Sequence, residues 1–68
     1  MNKFLEKLGK NIRKARHGKG MSQNDIAKRT DVDASYLSRL ENGRHNPTFQ
    51  TLYKIAEAIG VPIKEFFE

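Results

Sequence analysis

Residues 22–43 read SQNDIAKRTDVDASYLSRLENG, and this stretch decides the fold. Ser22 followed three residues later by Asp25 is the pattern of a capping box, in which two side chains satisfy free backbone N–H groups at the start of a helix. The β-branched and turn-forming residues 30–33 interrupt that helix. The aspartate that ends the interruption can cap a second helix, and Gly43 favours the end of that helix. The stretch therefore predicts two short helices joined by a tight turn.

Helical periodicity continues on both sides of this stretch. A first helix presents one apolar face, formed by Phe4, Leu5, Leu8, Ile12 and Ala15. Gly9 lies inside this helix and predicts the close approach of a neighbouring helix. A helix after Pro47 carries the apolar stripe of Phe49, Leu52, Ile55, Ala56 and Ile59. A last short helix is expected over 62–68, which completes an all-α fold, a compact five-helix bundle that forms a single domain over 1–68.

The charge of the chain is positive and unevenly distributed. Thirteen Lys and Arg stand against eight Asp and Glu, a net charge of +5 at pH 7. Residues 1–20 carry seven basic side chains and one acidic side chain. A basic end on a small domain suits a polyanion such as nucleic acid. The same charges fit a solvated helix face, so composition alone leaves both interpretations open.

Composition also argues against several classes of chemistry. The chain has no cysteine, which excludes disulfides, thiol catalysis and cysteine-based metal sites. His17 and His45 match no metal-binding spacing, so we expect neither a metal nor a cofactor. No phosphate-cradling glycine loop, SxxK motif or paired carboxylate set is present, so we expect no catalytic residue and no enzyme activity. The absence of a leader or a long apolar run predicts a cytoplasmic protein without membrane contact.

Residues 22–43 have the size of a helix-turn-helix, in which the second helix enters the major groove of DNA. Here that recognition helix would span 33–42, with Leu37 and Leu40 facing inward. Its outer face carries Ala34, Ser35, Ser38 and Arg39. Such a face suits base recognition because bulky side chains would hold the backbone away from the groove.

The run from 21 to 61 resembles the Cro/CI-type helix-turn-helix family, also named for the xenobiotic response element (XRE). The resemblance rests on SQ at 22–23, YLSRLENG at 36–43 and TLYKIAEAIGV at 51–61. It implies a DNA-binding domain of the lambda-repressor type, similar to small phage repressors and restriction–modification controller proteins. One departure is Asp31, at a turn position usually held by glycine. Aspartate tolerates the left-handed conformation better than most residues, so we expect only some loss of stability there.

The resemblance also implies roles for individual residues. The base-reading positions would be Ala34, Ser35, Ser38 and Arg39. The residues expected at DNA phosphates are Arg16, Gln23, Asn24, Tyr36, Asn42, Arg44, His45 and Asn46. Glu41 would pair with Arg16 and aim its guanidinium at a phosphate. For Arg39 a salt bridge to Glu41, or simple solvent exposure beside Ser35, is the alternative.

The last eight residues, VPIKEFFE, predict a partner surface. One short helix cannot bury Ile63, Phe66 and Phe67 together, so we expect a dimer contact there, with one aromatic inward and another shared across a two-fold axis. The alternative is a plain lid over Phe49 and Leu52.

The resulting expectation is a homodimeric transcriptional regulator that binds an inverted repeat in double-stranded DNA. No small-molecule ligand is expected. The alternative is an antitoxin or anti-regulator of the same fold that acts chiefly by binding another protein. A peptide that binds a membrane surface is a third possibility, which the basic first helix allows but the need for its apolar face in the core disfavours.

Overall fold

The computed structural model describes residues 2–68, which form four α-helices and one terminal 3-10 helix. The α-helices are α1 (Lys3–Gly18), α2 (Gln23–Arg29), α3 (Ala34–Glu41) and α4 (Phe49–Ile59), and the 3-10 helix spans Ile63–Phe67. Within this described part of the chain there is no strand, so the all-α class is confirmed. No helix in it is both long and apolar enough to cross a membrane.

The prediction of a fifth α-helix is wrong. The terminal element has only five residues, and Pro62 before it provides no side-chain cap. Its backbone instead closes a tighter turn, in which the N–H of Glu65 donates to the carbonyl of Pro62 at 3.1 Å. Elements this short are commonly 3-10 helices, since they have too few residues to build an α-helical ladder.

The predicted caps of α2 and α3 are confirmed. Ser22 Oγ accepts from the N–H of Asp25 at 3.0 Å, and Asp25 Oδ2 accepts from the N–H of Ser22 at 2.8 Å. Asp33 Oδ1 accepts from the N–H of Tyr36 at 2.7 Å. Gly43 follows α3 with φ of +73°, a left-handed conformation that glycine adopts without strain.

The expected strain at Asp31 is absent. No residue other than glycine has a positive φ between 2 and 68. The chain leaves α2 through Thr30 in an extended conformation, with φ of −147° and ψ of 173°, and so turns without a left-handed residue. The carboxylate of Asp31 instead lies 3.3 Å from Lys54 Nζ on α4, an exposed ion pair of little energetic weight.

One apolar core joins all five elements. Its members are Leu8, Ile12, Ile26, Val32, Leu37, Leu40, Leu52, Ile55, Ala56, Ala58, Ile59 and Phe66. The assignment of Phe49 to this core is wrong, because 66% of Phe49 is exposed. It is the first residue of α4, and the buried stripe of that helix begins one turn later, at Leu52.

The two terminal aromatic residues differ sharply in exposure. Phe66 is 1% exposed, whereas Phe67 is 47% exposed. Asn11 holds the C-terminal segment against α1, since its Nδ2 donates to the carbonyls of Phe66 and Glu68, each at 3.0 Å. Phe66 is thus the inward aromatic and is corrected from a dimer contact to a core residue, while the sharing of Phe67 across a two-fold axis stays a prediction.

At Gly9 the backbones of α1 and α3 approach each other very closely. A Cβ added at Gly9 would lie 2.5 Å from the carbonyl oxygens of both Leu40 and Glu41, well inside van der Waals contact. The predicted close approach is therefore confirmed, and the absent side chain lets α1 rest directly on the backbone at the end of α3.

Replacing Gly9 with Ala should lower the free energy of unfolding by about 1–3 kcal/mol, because the two backbones must move apart. Gly18→Ala is the matched control on the same helix, since a Cβ there meets nothing within 4 Å. Urea unfolding of both variants checks this. Equal stability of Gly9→Ala and Gly18→Ala would contradict the contact.

Candidate nucleic-acid interface

The predicted pair of Arg16 and Glu41 is present as a buried, two-pronged salt bridge. Arg16 Nε donates to Glu41 Oε2 and Arg16 Nη2 donates to Glu41 Oε1, each at 2.8 Å. Arg16 is 7% exposed and Glu41 is 2% exposed. Parallel N–H···O bonds of this kind fix orientation as well as adding energy. The pair ties α1 to the last residue of α3, beside the close contact at Gly9.

The phosphate contact expected of Arg16 stays a prediction, and most of its hydrogen-bond donors are already used inside the protein. Besides its two bonds to Glu41, Arg16 donates from Nη1 to the backbone carbonyl of Met21 at 2.9 Å. All three guanidinium nitrogens therefore have partners inside the protein, and the side chain is almost fully covered. Arg16 therefore supports the surface from beneath, and two of its five N–H groups take no part in these three bonds.

Gln23, the first residue of α2, joins the same carboxylate. Its Nε2 donates to Glu41 Oε1 at 3.2 Å, and its side chain remains half-buried. Burial alone would raise the pKa of Glu41, but the hydrogen bonds from Arg16 and Gln23 outweigh it and hold the pKa of this carboxyl below its usual range. The hydrogen bond to Glu41 in turn raises the pKa of Arg16. One charged carboxylate thus connects the first three helices.

The four residues expected to read bases all lie on α3. Ser35 and Arg39 are exposed, and Ala34 and Ser38 are half-buried. Arg39 Nη1 donates to Ser35 Oγ at 3.0 Å, one helical turn away. The alternative in which Arg39 pairs with Glu41 is wrong, because Glu41 is occupied by arginines of α1. Arg39 is therefore an exposed guanidinium steadied by a neighbouring hydroxyl.

The segment between α3 and α4 supplies further polar groups. Asn42, Arg44 and Asn46 are exposed. His45 is half-buried, and its ring meets the ring of Tyr36 edge-on, with centroids 4.4 Å apart. Burial raises the pKa of the Tyr36 hydroxyl, which lies partly inside the domain. Asn24 is exposed on the first turn of α2.

Sequence reasoning missed Arg13. Its Nη2 donates to Asn42 Oδ1 at 3.2 Å, and its Nε lies 3.6 Å from Glu41 Oε1. The side chain of Arg13 is 43% exposed, unlike that of Arg16. The spacing of three residues on α1 could have identified it, since residues i and i+3 share a helix face. The structure thus brings Arg13, Gln23 and Asn42 around the end of α3, whereas no side-chain hydrogen bond within 2–68 connects Asn24, Arg44 or Asn46 to that cluster.

A helix-turn-helix family model matches residues 12–66, most of the chain. The chain therefore belongs to the XRE-type helix-turn-helix family of DNA-binding transcription regulators. Among the groups of acidic residues and histidines in the described range, none has an arrangement that would hold a metal ion.

Similar proteins agree with this assignment. An uncharacterized HTH-type transcriptional regulator of Sinorhizobium fredii, y4dJ, is 44% identical over 54 residues, which cover 79% of this chain and 70% of that protein. The restriction-modification controller protein C.AhdI from Aeromonas hydrophila has a crystal structure that matches with a TM-score of 0.91 at 32% identity, over 97% of this chain and 100% of that one. The controller protein C.Esp1396I, crystallised as a tetramer in complex with its natural 35 base-pair operator, matches with a TM-score of 0.84 at 30% identity over the whole of both chains.

Glu41→Gln should lower the free energy of unfolding at neutral pH by about 3–5 kcal/mol, because it leaves the buried Arg16 without a counter-charge. The folded-state pKa of Glu41 is lowered, so its ionised form stabilises the fold at any pH above the pKa of the unfolded chain. That stability is lost as pH falls through the folded-state pKa. The gap between wild type and variant should therefore close on acidification.

Thermal unfolding from neutral pH down to pH 2 measures that gap. Glu57→Gln is the matched control, because it removes an exposed carboxylate that makes no ion pair or side-chain hydrogen bond within 2–68, and it should change stability by less than about 0.5 kcal/mol. A gap of constant size at every pH would contradict the charged state of Glu41.

Proposed function

We propose that this protein regulates transcription as a homodimer that binds an inverted repeat in double-stranded DNA, with α3 in the major groove. The observation that carries this proposal is the contrast between the two faces of α3. Leu37, Leu40 and Glu41 are buried and hold the helix to the domain, while Ser35 and Arg39 stand exposed on it. A firmly anchored helix with a short, polar outer face fits the groove.

Arg39 is the proposed main reader of base sequence. A guanidinium matches the O6 and N7 acceptors of guanine with two parallel hydrogen bonds. Its hydrogen bond to Ser35 Oγ, at 3.0 Å, holds the side chain along the surface of α3 before DNA arrives. Ala34 can meet a thymine methyl group, and the hydroxyls of Ser35 and Ser38 can accept or donate at several bases.

The proposed backbone contacts flank this helix on both sides. Gln23 and Asn24 begin α2, and the segment after α3 contributes Asn42, Arg44, His45 and Asn46. Tyr36 lies against His45 and would reach the same strand. These groups fix the register of a protein on the duplex but carry no sequence information themselves.

The proposed dimer contact is centred on Phe67 and includes Ile63, the first residue of the same 3-10 helix. Phe67 is 47% exposed and Ile63 is half-buried against the core. Two-fold pairing would give two recognition helices and inverted half-sites with centres about 10–11 bp apart. A competing surface exists on α4, where Phe49 and Tyr53 are 66% and 49% exposed and lie one turn apart.

Sites selected from random duplex DNA test the proposal. The wild-type protein should select two inverted half-sites, and Arg39→Ala should select the same arrangement with preference relaxed by about 1–3 kcal/mol at one position in each half-site. Arg44→Ala is the control, since loss of a phosphate contact should weaken all sequences alike. Selected sites without a dyad, or an Arg39→Ala profile identical to that of wild type, would count against the proposal.

Phe67→Glu should give a folded monomer, because a charge at the centre of an apolar contact between copies opposes association. Phe49→Glu makes the same change on α4 and should leave the dimer intact. Sedimentation equilibrium across a range of protein concentrations distinguishes them. The reverse result, a dimeric Phe67→Glu and a monomeric Phe49→Glu, would move the interface to α4.

A further inference from the structure

Among residues 2–68, Arg13 is the one guanidinium that both contacts the carboxylate of Glu41 and is largely exposed. Its Nε lies 3.6 Å from Glu41 Oε1, and its Nη2 donates to Asn42 Oδ1 at 3.2 Å. Between residues 2 and 68, no hydrogen bond of its Nη1 is found, and 43% of the side chain is exposed. The guanidinium is therefore held on one side and open on the other.

Gln23 approaches the same oxygen from α2. Its Nε2 is 3.2 Å from Glu41 Oε1, so this nitrogen and Arg13 Nε are at most about 7 Å apart. The Gln23 amide uses one N–H for Glu41 and keeps a second N–H to offer. Each hydrogen bond spans about 2.9 Å, so the second N–H of Gln23 and a free N–H on the Arg13 guanidinium can reach oxygens of a single phosphate group.

The local charge also favours an anion. Two guanidinium groups, Arg13 and Arg16, surround the single carboxylate of Glu41, which leaves an excess of one positive charge. Arg16 is 7% exposed and donates three hydrogen bonds inside the protein, whereas the Arg13 side chain is 43% exposed, so the excess charge reaches solvent mainly through Arg13. A phosphodiester carries one negative charge and accepts the planar arrangement of N–H groups that arginine offers.

We propose that Arg13 and the amide of Gln23 form one phosphate-binding site, arranged by Glu41, that takes a single backbone phosphate of duplex DNA. The proposal rests on the function proposed above and adds to it a ligand on α1, outside the helix-turn-helix. Glu41 fixes both donors before binding, and Asn42 keeps the Arg13 guanidinium beside the end of the recognition helix. Arg13 is thus an addition to the residues that the sequence predicted at DNA phosphates.

Duplexes in which one phosphate at a time is replaced by a neutral methylphosphonate test this site. Wild-type protein should lose about tenfold in affinity at one phosphate in each half-site, the size of a charge-assisted hydrogen bond. Arg13→Gln should lose about the same on unmodified DNA and be insensitive to that one replacement. Gln23→Ala should show a reduced sensitivity at the same phosphate, which would link both residues to it.

Salt titrations give an independent measure. Loss of one phosphate contact per subunit should make the slope of log affinity against log salt shallower by about 0.9 for each subunit bound. Arg13→Lys keeps the charge and should keep the slope. Lys64→Gln, the matched control, removes an exposed charge on the 3-10 helix that makes no ion pair within 2–68, and it should leave both slope and methylphosphonate sensitivity unchanged.

The outcomes separate this site from the function it rests on. A wild-type protein that selects no duplex sequence would overturn both. Specific binding by wild type, with full methylphosphonate sensitivity and an unchanged slope in Arg13→Gln, would overturn the site alone. A changed base preference in Arg13→Gln with an unchanged slope would also overturn it, since Arg13 would then act through Asn42 on the position of α3.

Discussion

The hydrogen bonds to the buried carboxylate of Glu41 are the interaction on which the packing of the first three helices depends. It is the last residue of α3, and it accepts hydrogen bonds from Arg16 on α1 and Gln23 on α2. Burying a lone carboxylate is costly, and the arginine offsets that cost only while both partners are in place. Gly9 makes this interaction possible. Because it has no side chain, α1 can approach the backbone of α3 closely enough for Arg16 to reach Glu41.

In this arrangement the arginines of the domain have two different roles. Arg16 is enclosed and neutralised, so it stabilises the packing of the helices. Arg13 and Arg39 stay exposed, each with one hydrogen-bond partner that limits its motion: Asn42 for the first and Ser35 for the second. Donors that are already oriented lose less conformational entropy when they bind, which favours both affinity and selectivity for a fixed pattern of phosphates and base edges. The fold and the candidate DNA surface therefore share one set of interactions.

Local signals in the sequence predicted much of this structure. The caps at Ser22 and Asp33, the left-handed Gly43 and the close approach at Gly9 each follow from the chemistry of one residue and its neighbours. The exposure of Phe49 did not follow, because a helical pattern identifies a face but not where along the helix the core begins.

The distinction between Arg13 and Arg16 was equally hidden. Both residues lie on the same side of α1, and only the position of α3 decides which of them is covered. The hydrogen bonds from Asn11 to the carbonyls of Phe66 and Glu68 likewise join residues more than 50 positions apart in the chain. These features depend on how the helices pack against each other, which the pattern of a single sequence does not show directly.

Side-chain order parameters from NMR of the free protein test the central claim most directly, namely that Glu41 holds its partners rigid before DNA binds. Arg16 Nε and Gln23 Nε2 should have values near the rigid-backbone figure of about 0.85, whereas the exposed Arg44 should fall below about 0.6. Values for Arg16 and Gln23 as low as that for Arg44 would mean that the carboxylate does not organise this surface, and the account would be contradicted.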